Sequence, residues 1–393
     1  MKLKLVIISI LLFSLNQHLA AKDFKKPIEA FLNSKKSVFK KFELNANSFP
    51  ILKKGSFINY NSTEDTITVI GVGDIMLGTN YPSRAYLPPN DGKDILTPVK
   101  PFLETADLTF GNLEGVLLSG KGTVKRCSNP QLCYAFKSPD HYVNILKDVG
   151  FDVVSLANNH SADFGAIGKI NTVNVLKDAG IHYAGLLKHP YSIFKKGGIT
   201  YGFCAFAPNV STVKINDYRK AVEIIKNLES QVDIVIVSFH GGGEGQAFRN
   251  VTRKREYYVG EDRGNPYEFA RIVIDAGADI VFGHGPHVTR TVDLYKNRFI
   301  AYSLGNFATY GRFSLKGSKG VAPIVKVKVT ETGTFLEASI TSIKQINRGM
   351  PVPDSENSAL KEIIALQKSN FPESELMISE QGIVKKKKAI KSL

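Results

Sequence analysis

Six times in this sequence a hydrophobic run, or the turn after one, ends in side chains able to bind metals or activate water: Gly73-Asp74-Ile75-Met76, Gly111-Asn112-Leu113-Glu114, Ala157-Asn158-Asn159-His160, Phe239-His240-Gly241-Gly242-Gly243-Glu244, Gly283-His284-Gly285-Pro286-His287 and Leu304-Gly305-Asn306-Phe307. Imidazole and carboxylate are ligands for divalent cations of the Mn, Zn or Fe class, and such a cation makes a nucleophile of bound water. His284 and His287, with Pro286 stiffening the turn between them, form a chelating pair. His240 is followed by three glycines that allow close ligand approach on the way to Glu244. These three histidines, all within a few residues of the end of an apolar run, are poorly explained as core packing. His18, His141, His182 and His189, the remainder that lack the setting, are left aside.

The other clusters carry acids and amides. Asp74 follows an apolar run between glycines and is either a ligand or a cap for the next element. Asn112 and Glu114 are two apart, on one side of an extended strand, where Glu114 could bridge two cations. Asn158, Asn159 and His160 leave an apolar run together, a costly group to bury unless each polar atom has a partner. Asp163 either orients His160 or caps the helix that starts near Ala166.

These residues need strand ends to hold them, and the hydrophobic pattern supplies them. Residues 66–72 have the β-branched density of a buried strand, and residues 151–157, 198–207, 233–239 and 279–282 read as further strands. Helices fit residues 140–149, 166–179, 218–230 and 267–276, with Gly150, Gly180 and Gly277 as stops and Pro266 as a start. After Arg298 the strands at 298–304, 322–330 and 334–343 follow one another, with Thr332-Gly333 as a hairpin turn. Alternation followed by consecutive strands predicts an α/β sandwich of mixed sheets. A late helix spans 356–368, and the tail from Asn370 reads as dispensable.

Composition bounds the rest. The chain has 393 residues, 43% hydrophobic and 22% charged, enough for one large domain with small appendages. Residues 1–21 read as a signal peptide: Lys2 and Lys4, an apolar stretch from Leu5 to Leu15, then Leu19-Ala20-Ala21 as a cleavage site. An uncleaved anchor is the other reading, and export to the periplasm or cell surface follows from either. Residues 22–65 form a Lys-rich lead-in, 66–345 the main domain, and 346–393 a C-terminal helix and basic tail. In an oxidising compartment Cys127 and Cys133 predict a disulfide, while Cys204 reads as a buried small hydrophobe. The net charge of +15 suits an anionic partner, but much of it lies in the flanks, and no nucleic-acid motif accompanies it.

In order and in detail the motifs resemble the CapA family of bacterial capsule-synthesis proteins, associated with poly-γ-glutamate capsules. The resemblance runs from about Thr66 to Ile343. Its most specific parts are Asp275-Ala276-Gly277-Ala278-Asp279 leading to Gly283-His284-Gly285-Pro286-His287-Val288, and Tyr302-Ser303-Leu304-Gly305-Asn306-Phe307. That family is in turn similar to the calcineurin-like metallophosphoesterases, which implies a four-layer α/β sandwich with one or two divalent metal ions. Carried over, the resemblance implies Asp74, Asn159, His240, His284 and His287 as metal ligands and His160 as the acid-base imidazole, to which the reading above adds Glu114 as a ligand and Asp163 as the carboxylate beside His160. It departs from the phosphoesterase pattern at Met76, where a histidine is expected, at Asn112 and Glu114, where a bridging aspartate is expected, and in the spacing of His284 and His287.

Asn112, Asn158, Glu244, Arg263 and Asn306 are the candidates for contacting substrate, and Arg290 and Arg312 also lie near the motifs. Two functions follow. One is a metal-dependent hydrolase acting on a phosphoester or on an amide of an acidic cell-surface polymer. The other is a capsule-assembly protein that binds the anionic polymer, or a small acidic substrate, without turnover beside membrane-bound synthesis machinery.

Overall fold

The apolar runs become strands in two sheets, and their alternation assigns each residue to a layer. The computed structural model describes residues 66–127 and 133–387, so the residues read as a signal peptide and a lead-in lie outside the described residues. Strand β1 (Thr66–Met76) and β2 (Leu108–Leu113) are followed by helix α1 (Tyr142–Asp148), β3 (Val153–Ser155), α2 (Gly165–Ala179) and β4 (His182–Ala184). Next come β5 (Tyr191–Lys196), β6 (Ile199–Phe206), α3 (Tyr218–Glu229), β7 (Ile234–His240), α4 (Pro266–Asp275) and β8 (Ile280–His284). The chain continues through β9 (Val292–Tyr295), β10 (Arg298–Ala301), β11 (Asn306–Thr309), β12 (Val321–Thr330), β13 (Phe335–Ile346) and β14 (Met350–Pro353). Helix α5 (Ser358–Asn370), β15 (Leu376–Ile378) and β16 (Ile383–Lys386) close it.

Among the described residues the larger sheet has 10 strands, in the order β15-β16-β13-β12-β1-β2-β3-β4, with β11 also on β1 and β14 on β13. The second sheet has 6 strands in the order β9-β10-β8-β7-β6-β5. Ile67 and Val69 of β1 point with Ile236 of β7 and Phe282 of β8 into the core between the sheets. Ile70 and Val72 point the other way, toward α1 and α2 through Ile145 and Leu176. On the far side Val235 and Val237 of β7 pack with Ile225 of α3 and Phe269 of α4. Helices, sheet, sheet and helices therefore stack as the four-layer sandwich implied by the resemblance.

Local signals explain the helix boundaries. Asn265 accepts a hydrogen bond from Glu268 N at 3.2 Å, and Pro266 follows it at the first position of α4. Gly180 ends α2 in the left-handed region at φ 77°.

The structure departs from the sequence reading in two places. Residues 298–304 were expected as one strand, but β10 ends at Ala301 in the smaller sheet and β11 begins at Asn306 in the larger one. Gly305, at φ 62°, turns the chain between them. Its carbonyl accepts a hydrogen bond from Asp74 N at 2.8 Å, while Leu304 N donates to Gly283 O at 3.0 Å. The tail from Asn370 is likewise no appendage. Leu376 and Val384 alternate inward and are buried, so β15 and β16 extend the larger sheet, and a boundary at residue 346 cuts through it.

Candidate metal centre

The parallel strands of both sheets deliver the clusters at their carboxyl ends, where α/β sheets open a crevice. Asp74 of β1 stands beside Asn112 of β2 and Asn306 of β11 in the ladder. In the other sheet His240 of β7 stands beside His284 of β8. Glycines allow the approach. A Cβ on Gly73 would lie 2.0 Å from Gly305 O, and one on Gly283 would lie 2.3 Å from Tyr302 O.

Side chains then converge from both sheets. Ligand atoms of Asp74, Glu114 and His240 lie within 4.8 Å of one another, and all three residues are buried. Asp74 Oδ1 is 3.2 Å from His284 Nδ1, and its Oδ2 is 2.8 Å from His287 Nδ1. Burial opposes ionisation of Asp74, but the hydrogen bonds from these histidines win and hold its carboxyl well below the usual range. His287 is the counterpart. Burial disfavours its charge, yet the Asp74 carboxylate raises it to about 9. Glu114 goes the other way: burial, and then the charge of Asp74, push it well above the ordinary carboxylate value. Burial, joined by the charge of Arg263, pushes His240 well below the ordinary histidine range and keeps it neutral, the form that binds metals.

The donor set fits a divalent cation. Both ring nitrogens of His240, Nε2 of His284 and Oε1 of Glu114 are buried with no hydrogen-bond partner. Orphans of this kind each cost free energy unless something occupies them. His240 Nδ1 and Glu114 Oε2, at 3.6 Å, are too far apart to satisfy each other. Imidazole and carboxylate donors together suit Mn, Fe or Zn, and a cation here would also relieve the repulsion between Asp74 and Glu114.

His160 lies on the neighbouring wall. Its Nδ1 is 2.7 Å from Asp163 Oδ2, so Asp163 orients the imidazole; the helix-cap alternative fails, since Phe164 precedes α2 without a side-chain cap. Asp163 also accepts a hydrogen bond from Phe136 N at 2.7 Å and pairs with Lys125 Nζ at 2.6 Å. Burial lowers the His160 pKa below its ordinary value, against the opposing charge of Asp163. Asn159 Oδ1 is buried and unpartnered, and Asn159, His160 and His287 line one cavity of about 420 Å³.

Several proposed substrate contacts are instead part of the frame. Asn112 Nδ2 donates to Asp74 Oδ1 at 2.8 Å and to Glu114 Oε2 at 2.5 Å. Asn158 Nδ2 donates to Asn112 Oδ1 and Leu113 O, while its Oδ1 accepts from His160 N. Asn306 Nδ2 donates to Lys319 O, and its Oδ1 lies 3.2 Å from His287 Nδ1. All three are buried, and their polar atoms are occupied within the protein. Glu244 and Arg263 do line the cavity, paired at 2.8 Å. Arg290 is buried elsewhere, held by Glu256 through 3.0 and 2.7 Å bonds, and Glu256 in turn accepts from Gly243 N. Lys125, Tyr134, Tyr258, Glu261, Phe313 and Lys319 complete the cavity without having been singled out from the sequence. None follows an apolar run, so the rule that found the other residues could not find them.

Lys125 and Tyr134 are flanked by a disulfide between Cys127 and Cys133, whose Cα atoms are 5.6 Å apart. The residues between the two cysteines lie outside the described residues.

Comparison with known proteins converges on the same stretch of chain. The bacterial capsule synthesis protein PGA_cap family matches residues 68–310. The capsule biosynthesis protein CapA of Bacillus anthracis is 30% identical over 264 residues, covering 62% of this chain and 60% of that protein. The PGA biosynthesis protein CapA of Bacillus subtilis (strain 168) is 28% identical over 262 residues, covering 62% and 64%. The chain thus spans less than two thirds of the length of these relatives. Among solved structures, it is similar to the calcineurin-like phosphoesterase YfkN from Bacillus subtilis, at 12% identity and TM-score 0.40, covering 78% of this chain and 97% of that one. The matched stretch starts in β1 just before Asp74 and ends just after Asn306, enclosing every cluster of the centre: this chain belongs to the bacterial capsule synthesis protein PGA_cap family.

Proposed function

We propose that this protein acts in the biosynthesis or export of an anionic cell-surface polymer such as poly-γ-glutamate, as a metal-dependent hydrolase. The observation that carries the reading is the set of buried, unpartnered ring and carboxylate atoms on His240, His284 and Glu114, with the His240 ring 6.1 Å from that of His287 on the cavity wall. The printed names of the relatives support the polymer: one is a capsule biosynthesis protein, the other a PGA biosynthesis protein.

Asp74, Glu114, His240, His284 and His287 would hold the cation, with Asn159 at the cavity side. One or two divalent ions, when bound, supply Lewis acidity and a water of lowered pKa. The chain's own residues do the rest. Asp163 accepts the Nδ1–H of His160 and leaves Nε2 free, so that the ring, once protonated, gives its Nε2 proton to the leaving group. Arg263 and Glu244 shape the wall against which the substrate lies. We place the protein outside the cytoplasm, on the strength of the leader-like residues 1–21 and the disulfide.

A second reading, a polymer binder without turnover, is favoured by Asn112. Its amide hydrogen-bonds both acids at the position where the phosphoesterase pattern has a bridging carboxylate. Elemental analysis of protein purified without chelator, with His240→Ala and His284→Ala alongside, separates the two when joined to an assay on phosphodiester and γ-glutamyl substrates. Near-stoichiometric metal that falls at least ~10-fold in the variants, with turnover lost in His160→Ala, is expected. Wild-type protein without metal, or variants with an intact capsule phenotype, would end the hydrolase reading.

A further inference from the structure

Four cationic side chains line the cavity beside the histidines: Lys125, Arg263, Arg312 and Lys319. Two are neutralised inside the protein. Lys125 pairs with Asp163 at 2.6 Å, and Arg263 sits between Glu244 at 2.8 Å and Glu261 at 3.2 Å. Among the described residues no carboxylate pairs with Arg312 or Lys319, and Nε of Arg312 is buried without any partner.

Arg312 is nevertheless held in place. Its guanidinium carbon lies 4.7 Å from the ring centre of Tyr86 and 5.3 Å from that of Tyr134. Two aromatic rings fix the group while leaving its fork of donors free, the arrangement that suits bidentate capture of a carboxylate. Phe313, the next residue, stacks on Phe136 at 5.0 Å and meets the ring of His287 at 5.4 Å. The free guanidinium is thus tied by one residue to the wall of the metal centre. Lys319, which lines the same cavity, adds a second charge, its Nζ 3.7 Å from where a Cβ on Gly245 would stand. A cavity with two matched and two unmatched cations attracts anions.

We propose that Arg312 and Lys319 form a carboxylate subsite, which binds an acidic side group of an amide-linked oligomer while the neighbouring backbone lies at the histidine cluster. This rests on the reading of the site as one that handles an anionic polymer. The subsite would discriminate a chain of carboxylates from a neutral chain of the same shape.

Calorimetric titration of the full chain with a short γ-linked oligoglutamate and with the amide-capped, neutral oligomer of equal length tests it. Wild type is expected to prefer the acidic oligomer, with an affinity that falls as salt rises. Arg312→Gln should weaken that binding by roughly 10-fold or more, Lys319→Gln by less, and neither should alter binding of the neutral oligomer. Arg312→Lys, which keeps the charge but not the fork, should fall between, and melting temperatures of all variants identify any loss due to misfolding. Equal affinity in wild type and a folded Arg312→Gln, or no preference for the acidic oligomer, overturns the subsite. Metal content measured on the same samples keeps the two claims apart. Metal-free protein that still binds through Arg312 removes the hydrolase and leaves the subsite, whereas metal-loaded protein indifferent to charge does the reverse.

Discussion

The contrast between His240 and His160 shows what surroundings do to one side chain. Both are buried, but His240 has two nitrogens without a partner and His160 has Asp163 at 2.7 Å. The first is left with a lone pair that nothing in the protein uses, the second is held in one orientation. Asp163→Asn should therefore separate the two functions. Turnover of a phosphodiester or γ-glutamyl substrate is expected to fall by about 10- to 100-fold at an unchanged metal-to-protein ratio. A variant with the wild-type rate, or one that has lost its metal, would show that Asp163 does something else. The sequence made the cluster legible because histidines and acids at the ends of apolar runs are conspicuous. It did not show the bonds of Asn112 to Asp74 and of Asn158 to Asn112, because those partners lie 38 and 46 residues away.

The strands and helices were legible to a similar degree, and for a similar reason. Gly180, Pro266 and the apolar runs act locally, so α2, α4, β7 and β8 fall within a few residues of their expected bounds. The break between β10 and β11 does not, since it is set by Asp74 and Gly283 bonding to residues 304 and 305 from either side. Asp279 shows a strand start carrying a charge for such a contact. Its Oδ2 accepts from Val235 N at 2.8 Å and its Oδ1 lies 3.0 Å from Arg298 Nε. Burial nonetheless pushes its carboxyl up to about 6 from the ordinary 3.8. The folded state then holds the proton more tightly than the unfolded one. The resulting stabilisation is complete below about 3.8 and disappears as pH rises through about 6. Denaturant unfolding at pH 4 and pH 7 should show this as a loss on the order of 2–3 kcal/mol. Asp279→Asn should remove that slope, and an unchanged slope would locate the proton elsewhere.

At the scale of the whole molecule, the C-terminal segment is the part most unlike its appearance in the sequence. Its short apolar patches look negligible alone, yet Phe371, Leu376 and Val384 are each almost fully buried. Phe371 stacks on Tyr302 at 5.4 Å, and β16 pairs with β13 at the edge of the larger sheet. Removing everything after Asn370 should destabilise the fold by on the order of 5 kcal/mol, from the burial of three such side chains. Thermal melting of the truncated chain checks this, and a wild-type melting temperature would return the segment to the status of a tail.

The centre draws Asp74 and Glu114 from one sheet and His240 and His284 from the other, with the 301–306 crossing between them. Of these ligands the first half of the polypeptide supplies the carboxylates and the second half the histidines. Complete coordination must therefore await the docking of both sheets, so a tightly held ion would certify that the chain has finished folding.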